Sequence, residues 1–128
     1  MKRLLTLAAV LEAATGLALL IAPSFVARLL LGDSVSGAGA AVGRVAGCAL
    51  LSLGIACWPS RDAASRPTAA LTAMLTYNSL VTCYLMLLGF GGQSVGVLLW
   101  PAVAIHGSLT LLLVRAGGKA MQALDTND

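Results

Sequence analysis

The sequence predicts an all-α, polytopic membrane protein: an antiparallel, left-handed bundle of four transmembrane helices, with a short interfacial helix between the first two. Three observations carry that reading. Of the 128 residues, 59% are hydrophobic and only 10% charged, whereas an ordinary soluble domain has roughly 25% charged residues. The apolar residues gather into four stretches, each about as long as the ~20 residues a bilayer core requires. Each stretch also holds one strongly polar side chain: Glu12, Arg44, Asn78 or His106. The length allows a single domain over residues 1–128.

Punctuation sets the element boundaries. The first span runs from about Leu4 to Ala22 and is closed by Pro23. Ser24 to Leu31 mixes Phe, Val and Leu with Arg28, the pattern of a short helix lying in the membrane surface. The second span runs from about Gly39 to Trp58, before Pro59. The third covers about 68–88, opened by Pro67, which suits a first helical turn. The fourth covers about 95–115, and Pro101 is expected to kink it near His106. The tail 117–128 is polar and expected to fray.

Charge placement explains the basicity. Lys2, Arg3, Arg61, Arg66, Arg115 and Lys119 fall on one side of a four-span arrangement, and Arg28 alone falls in a loop on the other. The positive-inside rule then puts both termini and the middle loop in the cytoplasm; the expected location is a bacterial-type inner (plasma) membrane. The net charge of +3 is thereby accounted for by topology and gives no support to nucleic acid as a partner. Met1-Lys2-Arg3 ahead of a leucine-rich run resembles the start of a secretory signal. Glu12 in the apolar region, with no small-x-small cleavage site before Pro23, argues for a retained first span.

The four polar residues form the best functional lead. At a rise of about 1.5 Å per residue, Glu12, Asn78 and His106 each fall ~15 Å from the outer surface, near the midplane. Arg44 lies ~8 Å down its span, with a side chain long enough to reach towards Glu12. An unpaired charge at midplane costs about 2.5–3.5 kcal/mol on the most lenient scale. Pairing Glu12 with Arg44, and hydrogen-bonding Asn78 and His106 to them, removes most of that cost. Gly16 opens a groove in the first span, and Gly39, Gly43 and Gly47 form a small-residue seam for helix packing in the second. Tyr77, Thr82, Tyr84, Trp100 and Thr110 are the expected walls of a pocket around the polar residues.

Several chemistries find no motif. The chain has no G-x-x-x-x-G-K-[ST], no H-E-x-x-H and no G-x-S-x-G. One histidine without paired ligands points to no metal, and the three cysteines lack metal or disulfide spacing. No nucleophile is specified beside His106, so no catalytic residue is assigned. The polar quartet then has three readings. It receives a ligand, it carries a proton for transport, or it is a buried network that fixes helix register.

Gly43-Arg44-x-x-Gly47-x-x-Leu50-Leu51-x-Leu53-Gly54, with Gly16-Leu17 in the first span, resembles small bacterial four-helix membrane proteins of the DoxX-like kind. That resemblance implies an integral membrane subunit associated with redox or quinone-linked systems, with a quinone or a larger membrane complex as partner. A single glutamate in the first of four spans is also similar to the small multidrug resistance transporters. That likeness implies Glu12 as the site exchanging protons for substrate. The third span lacks that family's tryptophan- and glycine-bearing motif. The combined expectation is a non-enzymatic membrane subunit or binding protein, single or homo-oligomeric. Its buried Glu12–Arg44–Asn78–His106 site takes a small hydrophobic molecule with a polar head, such as a quinone. Proton-coupled small-molecule transport is the alternative, and a purely structural network in a scaffold subunit is the second.

Overall fold

A computed structural model describes residues 2–58, 67–92 and 95–125, without the side chains of 67, 68 and 119–125. Pro59, Arg61 and Arg66, and the side chain of Lys119, lie outside that description. Five helices follow in order: α1 Lys2–Ile21, α2 Pro23–Leu31, α3 Gly37–Ala56, α4 Pro67–Gly91 and α5 Leu99–Asp125. No strand occurs among the described residues. Helices α1, α3, α4 and α5 are each long and apolar enough to cross a membrane. Their outward faces carry Leu7, Val10, Leu17, Val45, Leu80 and Leu111 exposed, as expected for helices surrounded by lipid.

Two helix pairs organise the molecule: α1 packs closely on α3, and α4 on α5, while the pairs touch each other less. The first pair is built on small residues. A methyl group on Gly16 would lie 2.6 Å from the Leu51 amide nitrogen and 2.7 Å from the Gly47 carbonyl oxygen. One on Gly54 would lie 2.7 Å from the Ala9 carbonyl oxygen. The backbones of α1 and α3 therefore touch directly, the packing that glycine permits between apolar helices. Gly43 faces Pro23, whereas Gly39 meets only its own neighbour Val35. Between the pairs, an apolar core gathers Leu5, Ala8 and Ala9 of α1, Cys57, Met74 of α4, and Leu109 and Leu113 of α5.

The ends of the long helices depart from the expected boundaries. Helix α5 starts at Leu99, so Trp100 and Pro101 stand in its first turn. There the missing N–H of a proline would have had no intrahelical acceptor, and Pro101 breaks no helical hydrogen bond. The expected mid-span kink has no cause, and Trp100 lies at the helix end, where an interfacial aromatic belongs. Helix α5 also runs through Gly117-Gly118 to Asp125 instead of fraying. Ala120, Met121, Gln122, Ala123 and Leu124 favour helix strongly enough to carry it past two glycines.

The segment between α4 and α5 is fastened to α2. The Gly96 and Leu98 amides donate to the Leu30 and Leu29 carbonyls at 3.1 and 2.8 Å. Those carbonyls belong to the last turn of α2 and have no acceptor role within it. A Cβ on Gly96 would collide with the Leu29 carbonyl, so the approach requires glycine. Helix α2 ends at Gly32, whose φ of 82° is left-handed and whose amide donates to the Arg28 carbonyl. Pro23 and Ala27 are buried, and Phe25 and Arg28 are exposed, so α2 has one apolar contact face and one mixed outer face.

Candidate functional site

Glu12, Asn78 and His106 meet where the two helix pairs face each other. The rotation of α1 that lays Ala9 and Gly16 against α3 turns Glu12 towards α4 and α5. Glu12 is 1% exposed and Asn78 0%, while the His106 side chain keeps 14%. Asn78 Nδ2 donates to the Met74 carbonyl at 2.8 Å, which orients the amide and leaves Oδ1 facing His106. His106 Nδ1 lies 2.7 Å from that oxygen and 3.8 Å from Glu12 Oε1. The ring nitrogen is thus hydrogen-bonded to Asn78 and only near Glu12. Tyr77 completes the group: its ring meets the His106 ring edge-on at 6.0 Å and 75°, and its hydroxyl faces the Glu12 carboxyl group.

One atom is left over. Among the described residues, Glu12 Oε1 is buried without a hydrogen-bond partner, while the Tyr77 hydroxyl faces the same carboxyl group. Buried polar atoms in proteins are almost always bonded, so an orphan acceptor needs an explanation. The other polar groups nearby are occupied along their own helices. Thr82 donates to the Asn78 carbonyl at 2.7 Å, Thr110 to the His106 carbonyl at 2.9 Å and Ser79 to the Leu75 carbonyl at 2.7 Å.

Apolar residues close the cluster along the helix direction. Met74, Leu109 and Leu113 lie on one side, and Leu85 and Leu99 are buried on the other. A shallow apolar groove of about 320 Å³ opens between α1 and α5, lined by Leu7, Ala104, Ile105, Ser108, Leu109 and Leu112. None of the cluster residues lines it. His106 and Tyr77, the half-buried members, are where the cluster reaches the protein surface.

Arg44 does not join the other three. It is exposed on α3, and among the described residues the basic side chain within 4 Å of the Glu12 carboxyl group is His106. The cause lies in the glycine contact. Gly47 and Gly54 fix which face of α3 meets α1, and Arg44 is turned away by about 60–80° at 100° per residue. Helix α3 packs on α1 and α2, whereas Asn78 and His106 are carried by α4 and α5. Arg44→Ala is therefore expected to leave bundle stability within about 0.5 kcal/mol of wild type, checked by thermal unfolding in detergent micelles. A pairing with Glu12 would instead make the loss several-fold larger.

The expected aromatic walls divide. Tyr77 belongs to the cluster. Tyr84 is 62% exposed and Trp100 45%. Trp100 packs on Phe90, with ring centroids 5.4 Å apart, and covers Gly89 at the α4–α5 end. Thr82 and Thr110 flank the cluster by one turn with their hydroxyls turned to backbone. The packing role of Gly54 against Ala9 and the polar role of Tyr77 are what sequence reasoning missed. A signal for Gly54 exists: Ala9 and Gly16 on α1 are seven residues apart, as are Gly47 and Gly54 on α3. Comparison with protein-family models, curated proteins and solved structures returned no match.

Proposed function

We propose that the protein is an integral membrane binding protein or subunit, an antiparallel four-helix bundle with α2 lying in the membrane interface. Its Glu12–Asn78–His106–Tyr77 cluster receives the polar head of a small hydrophobic molecule, quinone-like in size. The carrying observation is the buried Glu12 Oε1 without a partner. A network built only to hold helices would leave no acceptor empty, because each empty acceptor costs about 1–3 kcal/mol. The apolar groove between α1 and α5 supports the reading, since those helices carry Glu12 and His106. Opposed numbering in the α1–α3 contact, Gly16 on Gly47 and Ala9 on Gly54, supports the antiparallel arrangement. The placement of the basic residues supports cytoplasmic termini.

The test is what the protein carries with it. Wild type and Glu12→Gln are extracted in polymer-bounded lipid discs, and bound small molecules are identified by mass spectrometry. A lipid-soluble compound near one per chain in wild type, and depleted in Glu12→Gln, is the expected result. An empty wild type would leave the structural reading standing.

Proton-coupled transport is favoured by a separate observation. With Arg44 exposed on α3, Glu12 has no permanent counter-ion among the described residues and can exchange a proton for a cation. Substrate-induced proton release from detergent-solubilised protein, abolished in Glu12→Gln, would select this reading.

A further inference from the structure

We infer that the exposed Arg44 guanidinium holds the phosphodiester of an anionic phospholipid, in the leaflet at the N-terminal end of α3. The inference is independent of the Glu12 cluster and needs only that α3 crosses a membrane.

Arg44 is the charged residue of α3, a helix of 20 residues that is long and apolar enough to span. Seven residues, about 10 Å of rise, separate it from Gly37 at the helix start. It is exposed there, on a face that would otherwise meet hydrocarbon. A cation inside a span is costly unless it is paired or reaches the interface. The chain itself offers no pairing. Among the described residues Arg44 forms no ion pair. The carboxyl group within the four apolar spans, Glu12, is buried beside His106. Asp33, at the same end as Gly37, accepts the Ser34 amide at 2.7 Å. The counter-charge for Arg44 has to come from outside the chain.

Helix geometry sets the direction of approach. Each Cα–Cβ bond tilts towards the N-terminus of its helix, which for Arg44 is the nearer end of the span. Its long side chain therefore snorkels that way. The stripe that it follows is bare. Ala41, Ala40 and Gly37 stand three, four and seven residues before it. Among the described residues nothing lies within 4 Å of a methyl built on Gly37, so a head group has room to sink beside α3.

The chemistry selects the occupant. A guanidinium meets two phosphate oxygens with parallel N–H···O bonds. A phosphodiester with no cation of its own fits best, because the ammonium of phosphatidylcholine brings a like charge towards Arg44. A second copy of the chain is disfavoured. A twofold interface centred on this face sets Arg44 against Arg44, and α3 has no acidic residue to offset it.

The experiment uses the full chain in nanodiscs of equimolar phosphatidylglycerol and phosphatidylcholine with identical acyl chains. Native mass spectrometry, on gentle release from the disc, reads which lipid stays bound. Wild type is expected to retain phosphatidylglycerol over phosphatidylcholine by about fivefold or more. In Arg44→Ala the ratio should fall to within about twofold of unity. Arg28→Ala removes an exposed cation of α2 at the same end and should leave the preference in place. Wild type that retains both lipids equally, or neither, overturns the inference without recourse to any variant. A preference that survives Arg44→Ala, or is lost in Arg28→Ala instead, overturns it as well. So does a lipid-free dimer that dissociates in Arg44→Ala, which would give the α3 face to a second copy.

Discussion

Gly16→Leu should abolish the close pairing of α1 and α3, and with it the folded bundle. The contact at Gly16 is with backbone, the Leu51 amide and the Gly47 carbonyl. Backbone cannot rotate aside as the tip of a side chain can. Even Gly16→Ala must push the helices apart, for about 1–3 kcal/mol. The reciprocal change Gly47→Ala meets the Gly16 carbonyl oxygen at 2.7 Å and the Leu20 amide at 2.9 Å, and should cost a similar amount. Gly91→Ala is the control, because among the described residues nothing lies within 4 Å of its would-be methyl. Removing a glycine there should leave stability unchanged or raise it by up to about 1 kcal/mol. Unfolding in mixed detergent micelles, followed by circular dichroism, ranks the variants. Equal losses at Gly16 and Gly91 would show that glycine acts through helix propensity and not through the α1–α3 contact.

Glu12→Met should make the protein more stable and leave it unable to bind. Methionine has nearly the volume of glutamate, is apolar and adapts to irregular space. It removes a buried carboxyl group whose Oε1 has no partner. Replacing incompletely satisfied buried ionic groups with apolar ones is often neutral or stabilising by about 1–4 kcal/mol. Asn78→Leu has the opposite sign. It takes away the Oδ1 that meets His106 Nδ1 at 2.7 Å, leaving a half-buried ring nitrogen without that partner for a loss of about 1–3 kcal/mol. Thermal unfolding of both variants, with mass-spectrometric identification of the lipid-soluble compounds each retains in lipid discs, reads the two effects. A destabilised Glu12→Met would mean that Glu12 holds the bundle together and that its free oxygen has no further purpose.

Much of the fold was legible because membrane helices write their limits in hydropathy and proline. Pro23 and Pro67 each begin a helix, and four spans emerge near the expected positions. The fourth was misplaced because Val95 to Leu98 is as apolar as the helix it precedes. Only the backbone bonds from Gly96 and Leu98 to α2 show that this segment serves as a connection. For the site, depth along each helix was legible and rotation about each helix was not. Depth alone brought Glu12, Asn78 and His106 to one level, and the structure brings them together. Arg44 fell at a shallower level, and the reach expected of its side chain is turned elsewhere, since Gly47 and Gly54 set the rotation of α3 against α1. Rotation follows from which small residues a neighbouring helix finds, and a single stretch of sequence does not contain its neighbour.

The fastening of residues 96 and 98 to the last turn of α2 has a mechanical consequence. It clamps the start of α5 to the continuation of α1 through main-chain bonds, at one end of the molecule. A lever clamped at one end moves most at the other. Over a 20-residue helix such as α1, about 30 Å long, a tilt of only ~5° moves the far end by ~2.5 Å while the clamp stays still. Glu12 and His106 lie partway along that arm, so a small tilt of α5 against α1 stretches their 3.8 Å separation without breaking the fold. The latch on α2 acts as a fulcrum, and the buried carboxylate lies on the part of the lever that moves.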